Sequence, residues 1–468
     1  MDESIQRQPN PRRRRKTRMQ IFKEAYLPTI IFGIAVVLIL VFIIGALSRG
    51  SSPEADPSPE NTAPTENPVY VQQAQQVQQL LAQAKALADD YQFQEAVALL
   101  DSFAGDKSVF PELAYKRGEY AQQASQMVVW SDPGKITNLS FHSLIVDLDR
   151  ALANTSYGTS YNKNFVTTSE FTKILEQLYA NGYVLVSLDD ITTCTTDAVG
   201  NTTCQARTLY LPLGKKPLLL TQTNVNYYTY MIDGDEDGVI DKGNGGFASK
   251  LVVKADGSIT CEMVDANGGT VTGDFDLVPI LERFIAEHPD FSYKGARAIL
   301  AVTGYDGIFG YRINSSVKDT KGEAYYAQQV FGAKKLVEAL RQKGYELACY
   351  TYYNWAYGKI SAQEIQSDLK AWNTEIAPIL GDTNILAFAQ SSDIGSYSGT
   401  KFNLLQSAGF RYYLDFGDGR SGSQIGSNFI SHQRLLVTGS TMTHSASLFA
   451  GMFDPASILE SRRGSVPR

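Results

Sequence analysis

Histidine and cysteine are scarce in this chain, four of each among 468 residues, and there are three tryptophans. Four cysteines leave little room for covalent bracing. Cys194 and Cys204 bracket TTDAVGNTT, a polar loop of turn-forming residues that admits a local disulfide if the domain is exported. Cys261 and Cys349 are far apart in sequence, and Cys349 sits in an apolar run, so both read as buried thiols. A second scarcity is local. Lys216 to Tyr228 reads KPLLLTQTNVNYY, an apolar stretch that ends in Thr221, Gln222, Thr223 and Asn224, none of which ionises. A third is the want of any charge from Ala25 to Ser48. That run is 24 residues, roughly 36 Å of helix against a hydrocarbon layer of about 30 Å.

The uncharged run follows a basic segment, Arg12 to Lys16 reading RRRRK, with Arg18 and Lys23 beyond it. Basic flanks stay cytoplasmic, so the expectation is a single-pass cell-membrane protein with a cytoplasmic tail over 1–24, a transmembrane helix over 25–48 and the main domain outside. A cleaved signal peptide is the competing reading, but its apolar region is usually shorter. Eight Lys/Arg against three Asp/Glu give the first 24 residues +5, leaving −12 of the total −7 on the rest. An acidic exterior argues against nucleic acid as a partner. Hydrophobic residues make up 43% of the chain and aromatics 11%, ample for a large core.

Residues 49–68 form a Pro/Ser/Glu tract that cannot bury apolar surface and reads as a linker. From 69 to 130 the apolar positions Leu80, Leu81, Ala84, Ala88, Ala96, Leu99 and Leu100 recur at helical spacing, and Phe110-Pro111 opens a further helix. This resembles one tetratricopeptide-like helical hairpin, a short stalk. Over 135–460 β-rich runs, Tyr412 to Phe416 and Leu435 to Thr438 among them, alternate with amphipathic helical patterns such as Leu277 to Glu287 and Ala362 to Leu380, several closed by glycine, as at Asn181-Gly182 and Lys343-Gly344. Repeating β-α units imply an α/β fold of parallel strands with covering helices, and a barrel collects functional residues at the C-terminal ends of its strands.

Several blocks carry a resemblance. They are Thr221 to Tyr228, Phe141 to Asp147, His288 to Ala296, Thr303 to Gly307, and Gly344 to Asn354, reading GYELACYTYYN. Over about Ile136 to Pro455 the chain resembles the polysaccharide deacetylase (NodB-homology) family. That resemblance implies a distorted (β/α)7-type barrel. It also implies a site in which one aspartate is the base, and a second aspartate and two histidines hold a divalent metal that activates water at an N-acetyl carbonyl. By position the base falls on Thr223, the metal aspartate on Asn224 and the histidines on Tyr350 and Asn354. None of the four side chains is a usual zinc ligand, so zinc is not expected and deacetylation is expected to be impaired. Phe388 to Asp393 stands where the family usually carries a proline-bearing loop. Ser431 to Leu436 loosely matches the last block, with His432 reading as a surface-loop histidine. His142, near the mouth, is either a donor to substrate or a packed barrel residue.

Tyr227, Tyr228, Tyr350, Tyr352, Tyr353, Trp355 and Tyr357 surround the altered positions, and Tyr227, Tyr228, Tyr352 and Trp355 are the candidate sugar contacts. Barrel packing is the alternative for alternate tyrosines. Asp233, Asp235, Asp237 and Asp241, with Gly238 at the turn, follow a calcium-loop pattern, although Asn244 replaces the bidentate glutamate. An acidic turn is the alternative. The expected function is binding of, or action on, an extracellular or cell-wall glycan. Two other readings stay open. One is an active carbohydrate hydrolase, either an N-deacetylase or a metal-independent glycosidase using Asp306, Asp393 and Asp415; the other is a structural envelope protein whose stalk recruits a partner.

Overall fold

A computed structural model describes residues 68–130, 132–153, 156–232, 245–265, 267–416 and 422–468. The expected cytoplasmic tail and membrane span lie outside these residues, as does all but the last residue of the linker. So does the calcium-like loop with Asp233, Asp235, Asp237 and Asp241.

Seven strands, each followed by helix or loop, form the centre: β1 (Thr137–Phe141), β2 (Lys216–Thr223), β3 (Ile299–Val302), β4 (Glu346–Cys349), β5 (Ile385–Ala387), β6 (Tyr412–Phe416) and β7 (Ile430–Leu436). Every neighbouring pair is parallel, and β7 returns to β1, so the sheet closes on itself. The ring is distorted at β2. The first half of that strand, Lys216 to Leu218, pairs with an extra strand, Tyr183–Leu185, and only Thr221 to Thr223 pair with β3. The extra strand fills a gap that β3, four residues long, leaves open lower down.

Strand alternation sorts the side chains into two layers. Leu219, Ala301, Ala348, Ala387 and Leu414 belong to the barrel interior. Their neighbours Leu218, Leu300, Leu347, Leu386 and Tyr413 pack outward with the helices. Small alanines on three adjacent strands suit the limited space inside a narrow barrel. The covering helices include α4 (Thr168–Ala180), α5 (Leu277–Glu287), α6 (Glu323–Lys343), α7 (Ala362–Ala371) and α8 (Gly399–Ser407). At the start of α4, Thr167 and Glu170 form a reciprocal capping box.

Before the barrel come α1 (Pro68–Asp89), α2 (Phe93–Asp101) and α3 (Pro111–Ser125). Their buried residues Val77, Ala84, Leu100 and Leu113 run without a break into the barrel interior at Leu219 and Ala301. The fold expectation is corrected at this point. What precedes the barrel here is a packed three-helix unit; no helix among the described residues is long and apolar enough to cross a membrane. A membrane span is therefore no part of the described architecture. Cys194 and Cys204 face each other on an antiparallel hairpin, Thr192–Thr196 with Thr202–Ala206, and are joined by a disulfide. Cys261 and Cys349 are free and buried.

Candidate functional site

β2 ends in the open end of the barrel. Alternation turns Thr221 and Thr223 inward and Gln222 outward, and all three are fully buried. Gln222 donates to the Asp276 carboxylate at 2.7 Å, which also accepts from the Tyr227 hydroxyl at 2.5 Å and the Leu144 amide at 3.0 Å. Burial pushes the Asp276 carboxyl up. Tyr227, fully buried, is thus a packing residue, held by a carboxylate on the helix side. Tyr352 is similar: its amide donates to Asp368 at 2.7 Å and its hydroxyl to Glu375. Sugar contact, expected of both, does not fit their burial.

Thr223 and Asn224 stand at the end of β2, and Tyr350 and Asn354 just beyond β4, so the four altered positions flank β3 from either side. Thr223 Oγ1 lies 3.0 Å from His142 Nδ1. Asn224 accepts from the Tyr228 hydroxyl at 2.9 Å. Asn354 Oδ1 is buried without a partner among the described residues. The backbone here is strained. Asn224, Tyr227, Thr351, Asn354, Gln390 and Ser391, all in loops that leave β2, β4 and β5, have positive φ. Such strain gathers where side chains are held for use.

The residue the sequence did not single out is Arg434. It lies on β7, turned inward and 2% exposed. Its guanidinium sits 5.6 Å from the Tyr350 ring centre and 4.3 Å from that of Phe416. One nitrogen donates to the Phe388 carbonyl, while Nε and Nη1 have no partner among the described residues. Burial lowers its pKa, but an arginine stays charged. The available signal was alternation: the inward register of β7 places a histidine and then this arginine between Ile430 and Leu436. His142 feels this charge. Desolvation first, and then repulsion from Arg434, push it down to about 4, so it is neutral at physiological pH. His432 is no surface residue. It is 1% exposed inside β7, with Nε2 unpartnered among the described residues and a pKa pushed down to about 4 by burial.

Two aromatic surfaces border the mouth. Tyr157, Tyr230, Tyr228 and Tyr305 follow one another at ring separations of 5.3, 5.5 and 5.2 Å. Tyr157 and Tyr305, its ends, are about two-fifths exposed. On the other border Tyr353, 42% exposed, lies 4.8 Å from Trp355. Of the three candidate carboxylates, Asp306 is engaged with the Thr229 amide at 2.9 Å and with Arg312 at 3.4 Å. Asp393 and Asp415 instead share one crevice. Among the described residues no three His, Cys, Asp or Glu side chains are grouped to hold a metal ion.

No protein-family model and no curated protein matches this sequence. Among solved structures it is similar to a Streptococcus pyogenes deacetylase, PplD, in complex with acetate. The two are 12% identical over 66% of this chain and 95% of that one, with a TM-score of 0.34. A likeness of that size names neither a family nor a chemistry.

Proposed function

We propose that the chain is an exported glycan-binding protein with a deacetylase-like barrel that does not hydrolyse what it holds. The observation that carries this reading is the electrostatics of the mouth. Where the sequence resemblance calls for carboxylate and imidazole ligands, the chain has Thr223, Asn224, Tyr350 and Asn354, and the Tyr350 ring carries the buried Arg434 cation beside it. A guanidinium there repels a divalent cation, and the repulsion is strong away from water. His142, kept neutral, neither pairs with Arg434 nor supplies a base of useful strength. What remains suits a sugar: amide and hydroxyl groups at the floor, and the exposed rings of Tyr305, Tyr353 and Tyr157 at the borders. The disulfide fits an oxidising compartment.

The test is direct. Purified protein equilibrated with zinc and desalted is expected to retain no stoichiometric metal and to release no acetate from N-acetylated oligosaccharides. It is expected to bind such an oligosaccharide, and Tyr305→Ala with Tyr353→Ala is expected to weaken that binding about tenfold, roughly 1.4 kcal/mol. Stoichiometric zinc together with acetate release would overturn the proposal.

A further inference from the structure

The crevice shared by Asp393 and Asp415 lies outside the barrel ring. Asp415 on β6 has the same register as Tyr413, whose ring packs in the outer core, and opposite register to Leu414, which points inward. The crevice, about 570 Å³, is walled by these two carboxylates, by Tyr397 and Phe429, and by Gln424 and Gln433. Tyr397 and Phe429 stack at 4.3 Å. The Tyr397 hydroxyl donates to one oxygen of Asp415. The other oxygen, Oδ1, is buried with no hydrogen bond of good geometry among the described residues, the Ser431 hydroxyl being the neutral donor near the carboxyl, which is 6% exposed. No lysine, arginine or histidine is among the lining side chains described.

A buried carboxylate with one oxygen unused is costly unless a donor arrives. The walls say what kind of donor. Two acids ask for positive charge, stacked rings offer an apolar face to a sugar ring, and primary amides offer hydrogen bonds to its hydroxyls. We infer that this crevice is a second carbohydrate site, selective for an amino sugar whose amine is free and protonated, its ammonium donating to Asp415 Oδ1 and facing Asp393. Burial raises the Asp415 carboxyl to about 6, which fits a group waiting for a cation. An N-acetylated sugar has no charge to offer and a bulkier group to place. The inference does not rest on the aromatic borders of the mouth, because neither Tyr305 nor Tyr353 lines the crevice.

The experiment measures binding of a glucosamine hexamer and of the N-acetylglucosamine hexamer to the full-length protein near neutral pH by calorimetry. The wild type is expected to bind the free-amine oligomer at least about tenfold more tightly through the crevice. Asp415→Asn keeps the shape and the Tyr397 contact, and is expected to abolish the preference, with Asp393→Asn reducing it. Tyr305→Ala with Tyr353→Ala weakens binding of the N-acetylated oligomer at the mouth and is expected to leave the crevice's affinity for the free-amine oligomer unchanged, so that the preference persists or widens. Equal affinity for both oligomers in the wild type would overturn the inference. So would an unchanged preference in Asp415→Asn whose thermal unfolding matches the wild type. Loss of the preference in the Tyr305/Tyr353 variant alone would also overturn it, by assigning the binding to the mouth.

Discussion

Arg434, the buried His432 and the half-buried His142 make the barrel interior a place where charge is costly, and each cost has a measurable sign. His142 and His432 hold pKa values of about 4 against an ordinary 6.5. In the unfolded chain each takes a proton as pH falls past 6.5, whereas the folded chain resists until about 4. The stability each supplies is therefore present above 6.5 and drains as pH falls toward 4, at up to about 1.4 kcal/mol per pH unit for one proton. Asp415 runs the other way. Its carboxyl, raised from 3.8 to about 6, contributes stability that is full below 3.8 and lost as pH rises through 6. Denaturant titrations at a series of pH values are expected to show a shallower loss on acidification in His432→Gln than in the wild type, and a steeper one in Asp415→Asn. The same slope in all three proteins would contradict these shifts. Arg434 invites a sharper test, because two of its donors are unmet. Arg434→Met keeps length and apolar contact while removing the buried cation, so stability is expected to hold or rise by about 1–2 kcal/mol. The His142 ring, followed by NMR, is expected to titrate higher once the repulsion is gone, yet below 6.5, since desolvation is the larger cause.

At the scale of elements, α4 shows how a helix start is tied to a distant part of the chain. Glu170, fully buried, closes the capping box with Thr167 and receives two bonds of 2.6 Å from Arg463. Arg463 also donates to the carbonyls of Asn162 and Phe165. Arg463→Ala strands a buried carboxylate and is expected to cost roughly 3–5 kcal/mol, read from urea midpoints. Adding Glu170→Gln to that variant neutralises the orphan and is expected to recover part of the loss; no recovery would mean the charge was not the cause. Helices and barrel strands were the legible part of the sequence. The helical spacing over Leu277 to Glu287 and the apolar run over Tyr412 to Phe416 coincide with the elements observed. The expected helix over Ala362 to Leu380 is broken by a wide turn at Trp372–Ile376 ahead of Pro378. β7 was expected at Leu435 to Thr438 but begins at Ile430. Its first residues read Ile-Ser-His-Gln-Arg, too polar to look like a buried strand, and they are buried because they line a closed barrel and the crevice outside it. Arg434 was missed for the same reason. The three-stranded sheet of Lys250–Val253, Ile259–Val264 and Thr270–Gly273 was also not anticipated, since short polar hairpins carry little periodicity.

For the whole described molecule the question is whether the three-helix unit and the barrel are one cooperative body. Tyr91 stands at the joint. Its ring faces that of Tyr293 at 6.1 Å, its hydroxyl donates to the Asp290 carbonyl at 2.6 Å, and the Lys294 amide donates to the Asp90 carbonyl at 3.1 Å. Tyr91 is 7% exposed and holds a φ of 64°, a conformation an aromatic residue keeps only when its surroundings impose it. One apolar cluster joins Phe93 and Leu100 of α2 to Ile299 and Leu414 of the barrel. A helical unit that shares its core in this way has no independent reason to stay folded once the barrel opens. Calorimetry is therefore expected to show a single transition. Tyr91→Ala is expected to lower stability by about 3 kcal/mol. Alanine bears the same positive-φ strain, so that loss reports packing and the Asp290 bond. If the joint only tethers two separate bodies, Tyr91→Ala will leave the barrel's midpoint where it was and a second transition will emerge, with the denaturant dependence divided between the two.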